Sequence, residues 1–118
     1  MSFVTRQTVS FTTTAGGAAT VYSDVVNGGV HTIRYTYGDA DTGADFTITT
    51  ADTDQPILTV TNAGTSSTQW QPRQAKHDNA GAAIASQYEM VVAANERIKI
   101  VVAQGGATKT GTLEILVV

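Results

Sequence analysis

The chain has no cysteine, so neither a disulfide framework nor a thiolate-bound zinc can hold its fold together. Charge is scarce as well: 14% of the residues are charged, with seven Lys and Arg against ten Asp and Glu and a formal net charge of −3. No basic field is available to neutralise a phosphate backbone, which argues against nucleic acid as the main partner. No apolar run approaches the length of about 18 residues that marks a membrane-spanning helix. Residues 1–14 carry one cation, Arg6, and lack the continuous apolar stretch of a secretory signal. The expectation is therefore neither a membrane span nor a cleaved export signal.

Threonine is abundant, with 20 residues placed densely beside Val and Ile. Branching at Cβ suits the pleat of a strand better than the crowded turn of a helix. Residues 8–13 alternate, with Val9 and Phe11 on one face, before Ala15-Gly16-Gly17-Ala18 breaks the pattern. Residues 19–26 form a second strand candidate that Asn27-Gly28-Gly29 closes, because Asn and Gly tolerate the positive φ of hairpin turns. Residues 30–37 put Ile33, Tyr35 and Tyr37 on one face; residues 45–50 carry Phe46 and Ile48 at period two, and residues 57–61 carry Leu58 and Val60.

Residues 69–73 centre on Trp70, residues 76–86 read as loop, and residues 88–92 are again extended. Asn95-Glu96 reads as a turn into residues 97–103, where Ile98, Ile100 and Val102 share a face. Gln104-Gly105-Gly106-Ala107 turns the chain into residues 110–117, with Leu113, Ile115 and Val117 on one side. Half-apolar strands need an opposing apolar face, so this pattern predicts one all-β domain over residues 1–118. The expected architecture is an antiparallel, jelly-roll-like sandwich of about eight short strands.

Few residues suggest chemistry. Asp39, Asp41 and Asp45 lie close together in a Gly-containing segment, the kind of carboxylate spacing that a hard cation such as calcium requires. The closing Glu and the turn Gly of an EF-hand loop are missing, so a solvated acidic connection is the plainer reading and no metal site is assigned. His31 and His77 are the only histidines, and no nucleophile elbow, phosphate-cradling loop or zinc-binding His pair is present. The sequence thus points to binding, with no catalytic residues and no cofactor.

Trp70, Pro72, Arg73, Lys76 and His77 form the one local cluster that mixes an aromatic with cations. Such a cluster can stack on sugar rings or pair with an acidic surface, which makes Trp70, Arg73, Lys76 and His77 the candidate partner-binding residues. The alternative is a strand end with a core Trp and a solvated loop. Tyr22, Tyr35, Tyr37 and Tyr88 could form a glycan platform, although Tyr35 and Tyr37 share a face with Ile33 and fit a core or a subunit contact better.

Several stretches carry a resemblance: Ile33-Arg34-Tyr35, Asp45-Phe46-Thr47-Ile48-Thr49, and the run Pro72-Arg73-Gln74-Ala75-Lys76-His77-Asp78-Asn79-Ala80-Gly81-Ala82-Ala83. Asn95-Glu96-Arg97-Ile98-Lys99-Ile100-Val101-Val102 and Lys109-Thr110-Gly111-Thr112 extend it to the end of the chain. Together they resemble small virion structural proteins of tailed phages and prophages. The resemblance implies a particle component assembled in the host cytoplasm and residing in the virion. Within that class it is similar to capsid decoration or cement proteins, which implies a homo-oligomer, commonly a trimer, bound to the lattice of the major capsid protein. A tail or baseplate accessory protein, with host-glycan binding, is the alternative. In a trimer, residues 97–102 and 113–117 are candidates for subunit contact.

Overall fold

Residues 4–118 are described by the structure, a computed structural model, and they form eleven antiparallel strands and no helix. Eight of these pair as a nested ribbon that folds the first half of the chain back along the second. β1 (Thr5–Thr12) pairs β11 (Thr110–Val117), and β2 (Ala19–Tyr22) pairs β10 (Ile98–Ala103). β3 (Val26–Tyr37) pairs β9 (Val91–Glu96), and β4 (Asp45–Thr50) pairs β5 (Pro56–Val60). Further pairing of β11 with β3 and of β10 with β4 rolls the ribbon into two facing sheets, β1-β11-β3-β9 and β2-β10-β4-β5. This is the strand order of a jelly roll.

The period-two faces point into the space between the sheets. Phe11, Ile33, Tyr35, Phe46, Ile48, Ile98, Ile100, Leu113 and Ile115 are at most 1% exposed. Phe46 lies at the centre of the aromatic contacts, edge-on to Phe11 at 5.9 Å and to Tyr35 at 4.9 Å between ring centroids. Each such side chain contributes about 1.5–3 kcal/mol on leaving water, which is what holds two otherwise unrelated sheets face to face.

Three further strands, β6 (Thr68–Trp70), β7 (Gln74–His77) and β8 (Ala83–Glu89), lie between β5 and β9, so the count exceeds the eight expected. β9 occupies the edge of β3 only over Val26 to Val30, and β6 takes the next stretch, pairing Trp70 with Ile33 and Thr68 with Tyr35. β7 and β8 pair with each other alone. Residues 76–86, expected as a loop, therefore belong to a hairpin.

Asn27-Gly28-Gly29 is not a turn either. β3 runs straight through it, with a bulge at each side of the glycine pair. A Cβ on Gly28, whose φ is 132°, would collide with the carbonyl oxygen of Val118, and a Cβ on Gly29 would sit 3.2 Å from the end of Met90. The glycines admit the C-terminal strand and Met90 at close range, where the sequence suggested a reversal. At Asn95-Glu96 the chain does bend, with Asn95 at φ 54°, but the bend passes it from one sheet to the other.

Candidate interaction surface

The β7–β8 hairpin stands away from the sandwich as an arm. None of residues 74–89 is buried, and only Ala75 and Ile84 are even half-buried. Extents of 47 × 30 × 24 Å and a radius of gyration of 14.8 Å exceed the roughly 13.5 Å expected for a compact chain of this length. The tip is closed by Asp78, whose Oδ1 accepts the N–H groups of Ala80 and Ala82 at 2.9 and 3.0 Å, with Gly81 at φ 84°. Ala75 opposes Tyr88 and His77 opposes Ala83, so β8 carries four residues where β7 carries only Lys76. Ser86, at φ 63°, lies in that bulge and bends the arm.

The candidate binding residues follow this insertion from root to tip. Trp70 closes β6 and is half-buried against the core. Pro72 is buried, and the Arg73 guanidinium donates to the carbonyls of His31 at 3.1 Å and Pro72 at 2.8 Å, tying the root of the arm to β3. Lys76 reaches Glu89 across the hairpin at 3.9 Å, an exposed pair worth about 0–1 kcal/mol. His77 is exposed near the tip. The four residues thus follow one stretch of chain from the end of β6 through β7, with Trp70 and Arg73 anchoring it and Lys76 and His77 on the part that projects.

In the acidic loop two of the three carboxylates accept hydrogen bonds from their own chain. Asp39 Oδ1 accepts the Thr110 N–H at 2.7 Å and its hydroxyl at 3.2 Å, Asp45 Oδ1 accepts the Asn62 N–H at 2.9 Å, and Asp41 packs against Gly106. Asp39 and Asp41 thus face the β10–β11 connection and Asp45 the chain after β5, and among the described residues no three acidic or His side chains gather. The Thr110 amide holds the Asp39 carboxyl below its usual range. Glu96 works likewise: Oε1 accepts the N–H groups of Asp52 and Thr53 at 2.9 and 3.0 Å, and Oε2 the Thr53 hydroxyl at 2.9 Å. Those bonds, the Thr53 amide foremost, depress its pKa and clasp the β4–β5 turn to the β9–β10 bend.

The tyrosines do not form a platform. Tyr35 is in the core, where burial first, then Tyr37 and Asp39, raise its pKa; Tyr37 meets it edge-on at 6.4 Å. Tyr22 is exposed on β2 and Tyr88 on the arm. Residues 97–102 and 113–117, expected as subunit-contact candidates, turn one face to the core and leave Lys99, Val101, Glu114 and Leu116 half-buried on the other.

One further surface touches the expected subunit-contact segments only at Leu116. Across the outer face of β11, β3 and β9 run Val118, Gly29 and Val92 side by side: Val118 and Gly29 exchange two backbone bonds of 2.9 Å, and Gly29 pairs Val92. Val4 and Leu116 join Val118 around a hollow of about 350 Å³ rimmed by His31, Arg34 and Gln71. Val4 is 65% and Val92 56% exposed, and Met90 lies over Gly29. Tyr88, Met90 and Val92 recur at every second residue as the chain leaves the arm and enters the sheet, a signal that was present in the sequence. No protein-family model, curated protein or solved structure matches the chain. Among the described residues no helix is long and apolar enough to cross a membrane.

Proposed function

We propose that this chain is a structural subunit of a tailed-phage particle, a capsid decoration or cement protein that binds the outer shell as a homo-oligomer, a trimer being favoured. The observation that carries this reading is the arm. A lone two-stranded hairpin is marginal in water, so one without a single buried residue gains its partner outside the chain. The jelly roll serves viral capsid and lectin domains alike, and fold alone does not choose between them. A projecting arm favours contact with large neighbouring proteins over capture of a small ligand. Binding in place of catalysis is supported by the carboxylates, since Asp39, Asp45, Asp78 and Glu96 are engaged by backbone amides of their own chain.

Co-sedimentation with intact, expanded capsids tests the proposal. The expected result is saturable binding at a copy number set by the shell's symmetry, with free capsid subunits bound less well. Failure to bind such capsids sinks it.

The tail or baseplate reading, with host-glycan binding, has one observation in its favour. An open cleft of about 460 Å³ gathers Tyr37, Asp39, Asp41, Thr65 and Gln104 at the loop end of the sandwich. Binding of glycans that Tyr37→Ala abolishes would favour that reading.

A further inference from the structure

The arm and the apolar stripe are adjacent and each lacks what the other offers. On the arm, Ala75 and Tyr88 share one face, whereas Gln74, Glu89 and the ion-paired Lys76 occupy the other. Tyr88 is 63% exposed and leads through Met90 to Val92, so the apolar side of the arm is continuous with the stripe, in which Val92 is exposed, Leu116 and Val118 are half-buried and Gly29 is covered. A hairpin that projects from the edge of this stripe does not fold back over it: β7 and β8 make extensive contacts only with each other. Exposed apolar side chains rimmed by polar ones mark an association site.

We propose that the occupant of the stripe is the arm of a second copy of this chain. Each copy then presents a 16-residue arm, residues 74–89, and about six stripe residues. In a reciprocal pair both contacts fall within one interface, whose side of about 22 residues is within the roughly 20–30 that a stable interface uses. Charge agrees with this docking at the tip: Arg34 and His31 rim the hollow beside the stripe, and Asp78 closes the end of the arm, whereas Glu89 is paired with Lys76 on the arm's other face. Made reciprocally, arm to stripe and stripe to arm, the contact is isologous and closes a pair; made head to tail it is heterologous and closes a ring, and a three-membered ring is the trimer of the reading on which this inference rests.

Light scattering of the full chain tests it first. The wild-type protein is expected at a small multiple of 12.3 kDa, and Tyr88→Arg and Val92→Arg, each made separately, are expected to return it to 12.3 kDa. Both side chains are more than half exposed in the single chain, so each variant is expected to keep the β-sheet circular dichroism of the wild type while the oligomer is lost. The absence of cysteine permits a second, independent readout. Ala75→Cys and Leu116→Cys chains, mixed and mildly oxidised, are expected to give the mixed disulfide in excess over random pairing.

A wild-type chain that stays monomeric up to its solubility limit overturns the proposal. So does an oligomer that survives both Arg substitutions, or a predominance of disulfides between two copies of the Ala75→Cys chain, which places arm against arm. Capsid binding by a monomeric chain would overturn the arm contact and leave the shell-binding reading standing. An arm-to-stripe oligomer that ignores capsids would do the reverse.

Discussion

The rolled sandwich and the arm are built from the same kind of local structure, antiparallel strands joined by short turns, yet they stand at opposite ends of self-sufficiency. In the sandwich the strands pair across long stretches of chain, β1 with β11 and β2 with β10, and a side chain from one sheet meets its counterpart from the other, as Phe46 meets Phe11 and Tyr35. In the arm the pairing is local and nothing lies opposite. Both regions carry antiparallel ladder bonds, so the contrast turns on burial: the ladder shapes a hairpin, and apolar contact across the core makes a fold stable.

The contrast breaks most severely at its centre. Phe46→Ala removes a fully buried ring and is expected to cost about 3–5 kcal/mol, enough to unfold much of the population, as read by denaturant titration. Gly28→Ala comes next. Its methyl group meets the Val118 carbonyl at a φ of 132°, and a loss of roughly 1–3 kcal/mol by the same titration checks that the glycine exists for close approach.

Acid loosens the sandwich by way of its loops. Glu96 and Asp39 have folded pKa values below their ordinary 4.5 and 3.8, so the unfolded chain takes up protons first. Their contribution is complete at neutral pH, declines as pH falls below about 4.5, and is gone below the depressed folded values. Melting temperatures measured from neutrality downward are expected to fall in that window, and Glu96→Gln is expected to flatten the fall.

The smallest effect is expected in the arm. Lys76→Ala removes an exposed pair at 3.9 Å, and stability should move by no more than about 0.5 kcal/mol. Amide exchange sharpens the same point: residues 74–89 should exchange much faster than β10 and β11 in the isolated chain. If the arm proves as protected as the core in a monomer, the contrast between the two regions fails.

How much of this was legible can be followed along the chain. Alternation placed Val9, Phe11, Ile33, Tyr35, Phe46, Ile48, Ile98, Ile100, Val102, Leu113 and Ile115 in the core, because a strand with one wet face repeats every two residues. The hairpin was missed because residues 76–86, rich in Ala with a short turn signal, lack the apolar alternation that burial imposes. One trace of it was there. Threonine stops at Thr68 and resumes at Thr108, and the arm falls within that gap. Of the candidate site, the cluster from Trp70 to His77 marked the right segment, yet its division into anchor and projecting part needed the contact of Arg73 with His31. Asp39 and Asp41 face the β10–β11 connection, whereas their sequence neighbour Asp45 faces the chain after β5.

By itself the sequence determined the class of the fold and the inward faces of its strands, since periodicity and β-branching are local properties read by a local backbone. The nested pairing, the transit of β3 through Gly28 and Gly29, and the arm with its apolar stripe were decided by tertiary structure alone. Each depends on which distant strand lies alongside, and no neighbour in the chain carries that information.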